Sequence, residues 1–182
     1  KGDVEAKGGD VTMDAKTDLH NQGAVTASQD VGLTSGGCMV NDTAVTAGRE
    51  LTMNAGTTLT NGADHTATNG AVSLAAKKGL HQKGNVTAGS SITMDNQQDG
   101  ELVVRGDVQS GTSVTAKATE GNVTIDGSLT SKNGDTMLSA SDSQKLWDKG
   151  NIRVKGAVDS AADVRMTTDH GDIAVDGTLT AD

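Results

Sequence analysis

The sequence contains no proline, no phenylalanine and no tyrosine, and its 182 residues include a single tryptophan and a single cysteine. A core built on aromatic rings is therefore excluded, so aliphatic side chains must fill the interior. Only 34% of the residues are hydrophobic, but the polar remainder is rich in Thr, Ser, Asn, Asp and Gly rather than in the Glu and Lys of disordered chains. This composition favours short strands joined by tight turns.

Basic clusters and long apolar runs are also missing. The net charge of −9 argues against nucleic acid and anionic membranes as partners, since both require clustered Lys and Arg. No apolar run approaches the roughly 18 to 20 residues that span a bilayer. Because Cys38 is the only cysteine, an internal disulfide and a cysteine-only metal cluster are excluded. The chain starts and stops within a periodic pattern, so we expect it to be part of a longer protein.

A repeat of about 21 residues runs through the whole chain. An apolar residue after a turn recurs as an anchor, and the residue two positions later is always Ala or Ser. The anchor positions are Val4, Val25, Val45, His65, Val86, Val108, Leu129, Val158 and Leu179. The interval is 20 to 22 residues, except for one interval of 29. His65 therefore occupies a position that aliphatic residues fill elsewhere.

Two further apolar runs follow each anchor. The second run alternates apolar and polar residues, as in Val11/Met13 and Leu51/Met53, and the third run contains one large apolar residue, such as Leu19 or Leu59. Alternation of this kind predicts a strand with one buried face. Each repeat is therefore predicted to contain three short strands separated by turns.

A unit of this size cannot bury its own apolar residues, but copies stacked at roughly 4.8 Å can. We predict an all-β parallel β-helix over residues 1–182, with three strands per coil and eight to nine coils. The lack of proline agrees, because a strand paired on both sides needs every backbone N–H. A leucine-rich repeat would need a denser leucine pattern, and a helical solenoid would need a period of 3.6 residues.

The core chemistry changes near residue 85. Four residues before the anchor, the first repeats carry Asn21, Asn41, Asn61 and Gln82, whereas later repeats carry Val104, Ile125, Val154 and Val175. Equal side chains lie above one another in a parallel stack, so carboxamides can hydrogen-bond along the column. We predict a continuous Asn/Gln column through the first four coils and an aliphatic column after it.

For His65 we predict a neutral ring, either tucked inward or turned outward at a loosened corner, because a buried imidazolium without a partner is costly. The four histidines are scattered, so no metal site is expected. The segment Asp95 to Gly100 begins like a calcium loop, but Gly106 stands where a Glu ligand is needed. Acidic residues fall mainly at turns and indicate no catalytic carboxylate pair. We expect no enzyme activity and no cofactor.

The 29-residue interval locates an insertion at about Ser141 to Lys149, with the sequence "SDSQKLWDK". A loop that leaves a regular shaft tolerates functional variation, and tryptophan is a common interface anchor. The pattern favours a loop in which Leu146 and Trp147 fold back to cover apolar surface beside the shaft. The alternative is that Lys145, Leu146 and Trp147 contact a partner.

The segment "VVRGDVQSG" contains Arg105, Gly106 and Asp107, the tripeptide that many integrin ligands present on a loop. Gly106 aligns with the turn glycines of other repeats, namely Gly23, Gly84, Gly156 and Gly177. Lys83 and Lys155 stand at the Arg105 position. The pattern therefore favours a repeat turn, with integrin binding as the alternative.

The motifs "GAVTASQDVGLTSGG", "TAVTAGRELTMNAGTTLTNG" and "GNVTAGSSITMDN" resemble the haemagglutinin repeats of filamentous haemagglutinin-like exoproteins. These are the secreted partners of two-partner secretion systems, including large adhesins and the stalks of contact-dependent inhibition toxins. The resemblance implies a right-handed β-helical shaft that a barrel-shaped outer-membrane transporter exports from a Gram-negative bacterium. It also implies a host or neighbouring-cell receptor or glycan as partner. The family's secretion domain carries Asn-Pro signatures, which this proline-free chain lacks, so the chain resembles the shaft.

We therefore expect a non-enzymatic shaft segment of a secreted, surface-displayed adhesin. The alternative is a receptor-binding or stalk segment of a contact-dependent growth inhibition protein that delivers a toxin.

Overall fold

A computed structural model describes residues 2–141 and 150–182. These residues form 25 strands, numbered β1 to β25 in chain order, and they contain no helix. All strand pairs are parallel, and each strand pairs with its equivalents about 21 residues away. The structure is a parallel β-helix with one strand of each of three sheets in every coil, which confirms the predicted fold. The described residues have no helix that could cross a bilayer.

The first sheet has nine strands of three residues each, and every strand begins at an anchor. It consists of β1 (Val4–Ala6), β4 (Val25–Ala27), β7 (Val45–Ala47), β10 (His65–Ala67), β13 (Val86–Ala88), β16 (Val108–Ser110), β19 (Leu129–Ser131), β22 (Val158–Ser160) and β25 (Leu179–Ala181). The anchors pair directly with one another, and His65 lies between Val45 and Val86. The anchor register predicted from the repeat is thereby confirmed.

The second sheet has eight longer strands. It consists of β2 (Val11–Ala15), β5 (Val31–Ser35), β8 (Leu51–Ala55), β11 (Val72–Ala76), β14 (Ile92–Asp99), β17 (Val114–Glu120), β20 (Thr136–Ala140) and β23 (Val164–Thr168). The third sheet again has strands of three residues. It consists of β3 (Leu19–Asn21), β6 (Met39–Asn41), β9 (Leu59–Asn61), β12 (Leu80–Gln82), β15 (Leu102–Val104), β18 (Val123–Ile125), β21 (Ile152–Val154) and β24 (Ile173–Val175).

The core lies inside the three sheets and is aliphatic. In most three-residue strands the first and third residues are buried and the middle residue faces outward, as in Val45, Thr46 and Ala47. This follows from the period of two along a strand. Large apolar residues with exposed side chains include Val4, Ile173 and Leu179, which lie on strands that have a neighbour on one side only.

The corners are held by a ladder of short polar side chains. The residue directly before a strand uses its side-chain oxygen to accept the backbone N–H of the equivalent residue in the next coil. The Oδ1 atom of Asp64 accepts from the N–H of Asn85 at 2.7 Å, and Oδ1 of Asn85 accepts from the N–H of Asp107 at 2.9 Å. Asp10 and Asn122 do the same at the other two corners. These bonds satisfy backbone donors that tight turns would otherwise leave unpaired.

Candidate functional site

A shallow groove of about 310 Å³ lies on the outer face of the third sheet. Its lining residues are Thr60, His81, Gln82, Lys83, Val103 and Arg105, which we call the basic groove. The strand register places Thr60, His81 and Val103 side by side on three successive coils. Each of the two cations follows directly after a strand, so both project beside this row. The stacking of coils thus joins residues that lie about 20 positions apart in the sequence.

Lys83 and Arg105 stand on successive coils with no acid among the described lining residues. Their backbones are fixed because the N–H of Arg105 donates to the carbonyl of Gln82 at 2.8 Å. Nε of Arg105 lies 4.0 Å from Oδ2 of Asp126, but Asp126 is closer to Lys155, whose Nζ lies 2.7 Å from Oδ1. Within the described residues Lys83 has no ion pair. The residue after the third-sheet strand is basic at Lys83, Arg105 and Lys155 and acidic at Asp42, Asp126 and Asp176. Lys83 and Arg105 are thus the two cations that lie next to each other in this column.

The backbones of Lys83 and Arg105 lie roughly 4.8 Å apart at the spacing of the coils, which places two like charges on adjacent coils. Their repulsion is reduced when an anion lies between them. Val103 adds an apolar floor, and Thr60 and His81 add hydrogen-bonding groups. The groove can therefore bind a small anionic group that also has an apolar face.

A second surface depression has a different electrostatic character. It is lined by Asp30, Arg49, Glu50, Asn69 and Gly70. Here the guanidinium already binds a carboxylate: Nε and Nη2 of Arg49 donate to the two oxygens of Asp30 at 3.1 and 2.7 Å. This contact is the main cause that lowers the pKa of Asp30 below its usual value. The charge of Arg49 is thus already balanced by Asp30. The basic groove is therefore the stronger candidate for binding an external anion.

Arg105 and Asp107 of the tripeptide make contacts in different places. Arg105 lines the basic groove, whereas Oδ1 of Asp107 accepts hydrogen bonds from Oγ and the backbone N–H of Ser128, at 2.6 and 2.9 Å. The hydroxyl of Ser128 is the main cause that lowers the pKa of Asp107. A Cβ atom at Gly106 would overlap the backbone carbonyl of Gly84 in the coil before it. The glycine is thus required by the close approach of stacked turns.

The predicted Asn/Gln column is buried and in register, but its side-chain hydrogen bonds fall into two pairs. Nδ2 of Asn21 donates to Oδ1 of Asn41 at 2.6 Å, and Nδ2 of Asn61 donates to Oε1 of Gln82 at 2.9 Å. Between the pairs, Nδ2 of Asn41 donates to the carbonyl of Thr43 at 2.6 Å and lies 3.4 Å from Nε2 of His65. The prediction of one continuous column therefore needs correction, because His65 takes the contact that Asn61 would make.

The predicted loop begins at the corner after β20. Lys145, Leu146 and Trp147 lie outside the described residues. The same corner is already enlarged in earlier coils, where β14 and β17 extend to eight and seven residues and their register shifts between Asn96 and Asp99. Buried Asn96 fixes this enlargement: its Oδ1 accepts from the N–H of Gly79 at 2.8 Å, and its Nδ2 donates to the carbonyl of Gly100 at 2.9 Å.

The sequence shows part of the signal for the basic groove. A basic residue before the turn glycine recurs at Lys83, Arg105 and Lys155, and this recurrence indicates the register. The stacking of the coils, and not the recurrence in the sequence, brings Lys83 and Arg105 onto one surface with His81.

Comparisons with protein-family models, with curated proteins and with solved structures found no match to this chain.

Proposed function

We propose that this chain is a non-enzymatic shaft segment of a large secreted, surface-displayed filamentous adhesin. The observation that carries the proposal is the coil-on-coil architecture, in which each strand pairs only with its equivalents in adjacent coils. Nine strands in the first sheet correspond to a stack about 40 Å long at a spacing of about 4.8 Å. Such a stack can be lengthened coil by coil without a change in cross-section, which suits a spacer that holds other modules away from a cell.

The resemblance to haemagglutinin repeats supports this proposal and gives it a biological setting. The chain would leave a Gram-negative bacterium through a barrel-shaped outer-membrane transporter and remain at the cell surface or be released. The architecture suits this route, because each coil can fold on the coil before it as the chain emerges. The single cysteine, Cys38, is free and exposed, so folding needs no internal disulfide.

The adhesive contact that we propose for this shaft is the basic groove. A carboxylated or sulfated sugar has the chemistry that the groove favours, since its anionic group can lie between Lys83 and Arg105 while its C–H face packs on Val103. Exposed ion pairs contribute only about 0.2 to 1 kcal/mol each. A single groove would therefore bind weakly, and strong adhesion would need many copies along a filament or on a cell.

The alternative function, a receptor-binding or stalk segment of a contact-dependent growth inhibition protein, is favoured by the enlarged corner at β14 and β17. The Trp147 segment follows the equivalent strand, β20, in the sequence. In that case one particular surface is indispensable, whereas a shaft tolerates the removal of whole coils.

One experiment with three variants separates these functions. Deletion of residues 25–44 removes one whole coil outside the groove and joins Ala24 to Val45 in register. Small-angle X-ray scattering should show a rod that is shorter by about 4.8 Å, with unchanged strand content by circular dichroism. Binding to an immobilised acidic oligosaccharide should persist. Loss of strand structure would contradict the shaft, and loss of binding by a folded deletion variant would support the receptor alternative.

The groove is tested in the same assay by the double variant Lys83→Gln/Arg105→Gln. We expect about tenfold weaker binding, corresponding to about 1.4 kcal/mol, without a change in rod length. The double variant Lys132→Gln/Arg165→Gln is the matched control, because it removes the same charge from exposed positions outside the groove. Equal weakening in both variants would show that only net charge matters. Absence of binding by the unaltered chain would refute the adhesive contact and leave the rod-length result to decide the shaft.

A further inference from the structure

His65 is the one anchor among the described strands of the first sheet that is not aliphatic. Its side chain is fully buried, and its neighbours in the sheet are Val45 in β7 and Val86 in β13. The backbone of β10 is held on both sides: the N–H of His65 donates to the carbonyl of Asn85 at 2.9 Å, and the N–H of Val45 donates to the carbonyl of Asp64 at 3.2 Å. The ring therefore cannot leave the core without opening this ladder.

The contacts of the ring assign its proton. Nε2 lies 3.4 Å from Nδ2 of Asn41, which is a donor only. Nε2 must therefore be the unprotonated acceptor, which leaves the proton of the neutral ring on Nδ1. Among the described residues Nδ1 has no hydrogen-bond partner, and neither does Oδ1 of Asn61. The site thus holds a neutral imidazole with one weak contact and one unsatisfied donor.

Few groups near His65 could stabilise a positive charge on its ring. None of the strands β6, β7, β8, β9, β11 and β13 contains an acidic or basic residue. The histidine in β12, His81, lines the outer groove. Asp64 directly precedes the ring, but Oδ1 of its carboxylate accepts the corner bond from Asn85 at 2.7 Å. Burial lowers the pKa of His65, and this effect exceeds the opposing influence of the Asp64 backbone and charge.

We propose that His65 makes the fourth coil an acid-labile joint of the stack, at which the ladder around β10 opens while distant coils stay closed. A proton on Nε2 would place a donor against the donor amide of Asn41 and a charge among aliphatic side chains. The open coil can hydrate the imidazolium, so it takes up the proton in preference to the closed coil.

The direction of the pH dependence follows from linkage. The pKa of His65 is lower in the closed coil than in the open one, so the open coil binds more protons. The joint is fully stable well above pH 6.5, the usual value for histidine, and loses stability as the pH falls below it. Because each coil contacts only its neighbours, opening of the fourth coil divides the shaft without unfolding the rest.

Hydrogen exchange at pH 7.5, 6 and 5 tests the proposal. The joint is reported by the amides of Val45, His65 and Gly89, which donate to the carbonyls of Asp64, Asn85 and Ala67. The amides of Leu129 and Val158 in the first sheet are the internal reference. After correction for intrinsic exchange rates, we expect protection at the joint to fall by about tenfold or more relative to the reference between pH 7.5 and 5. Equal changes at the joint and the reference would overturn the proposal.

Two variants separate titration from a mere packing defect. His65→Val restores the aliphatic residue of both neighbours, so it should fold and should remove the extra loss of protection at low pH. His65→Gln keeps a polar side chain that does not titrate, so it should lower protection by the same amount at every pH. An acid-dependent loss that persists at the joint in His65→Val would show that another group causes it.

Discussion

The first four coils and the later coils bury polar groups at different corners. In the first four coils the third strand ends in Asn or Gln and the first strand ends in Ala; the later coils mostly reverse this, with Val or Ile in the third sheet and Ser in the first. The buried serines are Ser110, Ser131 and Ser160. The polar position has thus moved from the corner after the third sheet to the corner after the first.

The contacts explain why either arrangement is stable. In the early coils the carboxamide bonds the turn that follows it, since Nε2 of Gln82 donates to the carbonyl of Gly84 at 2.8 Å. In the later coils the serines bond the turn that follows them, since Oγ of Ser131 donates to the carbonyl of Gly134 at 2.7 Å and Oγ of Ser160 lies 3.2 Å from the carbonyl of Asp163. In each half of the chain, buried polar side chains therefore stabilise one corner of the coil through hydrogen bonds to carbonyls of the turn. A buried polar residue is tolerated where the adjacent turn offers it a partner.

The largest effect is expected when a carboxamide is placed in the aliphatic half. Ile125→Asn would put an amide between Val104 and Val154, where neither column neighbour can bond it. We expect a loss of roughly 3 kcal/mol or more in the free energy of unfolding, from lost packing and a buried amide oxygen to which no column neighbour donates. Urea denaturation measures this loss. Ile125→Val is the control and should cost only about 1 kcal/mol; equal costs would contradict the distinction between the halves.

A smaller loss is expected when one carboxamide is removed from the polar half. Asn41→Ala leaves Nδ2 of Asn21 and the carbonyl of Thr43 each without one hydrogen bond. Asn21 retains a bond to Oγ1 of Thr43 at 3.1 Å, so we expect a cost of about 2 kcal/mol by urea denaturation. Asn41→Asp is an informative comparison, because it keeps the acceptor for Asn21 but loses the donor to Thr43. An unchanged stability of Asn41→Ala would refute the structural role of the column.

The smallest effect is expected at the exposed corner before the first-sheet strands, where Asp64, Asn85 and Asp107 make the same kind of hydrogen bond to the next coil. Asp107→Asn keeps the oxygen that accepts from Ser128 and removes only the charge, so the melting temperature near pH 7 should change by no more than about 2 °C. Its pH dependence should change in a defined direction. Because the pKa of Asp107 is lowered by its hydrogen bonds, the unaltered chain loses this contribution as the pH falls below about 4, and Asp107→Asn should lack that loss. Thermal unfolding monitored from pH 7 to 3 provides the measurement.

Much of the fold could be predicted from the spacing of particular residues in the sequence. Less of the candidate site could be predicted in this way. The spacing of Val25, Val45 and Val86 fixes the register, because only equivalent residues can pair when coils stack. The aromatic-poor, proline-free composition supports the same fold. The hydrogen bond between Asn21 and Asn41 also has a clear signal in the sequence, since two carboxamides one repeat apart lie in adjacent coils.

The sequence by itself determined the period, the three strands of each coil and the residues that face inward, because these depend on the alternation of apolar and polar residues and on the recurrence of equivalent residues about every 21 positions. The tertiary structure decided which side chains meet. Lys83 and Arg105 form one surface only because adjacent coils bring them together, and His65 interrupts the Asn column because its ring reaches Asn41 across a corner. Such contacts depend on side-chain direction and on the path of each turn, which periodicity does not specify.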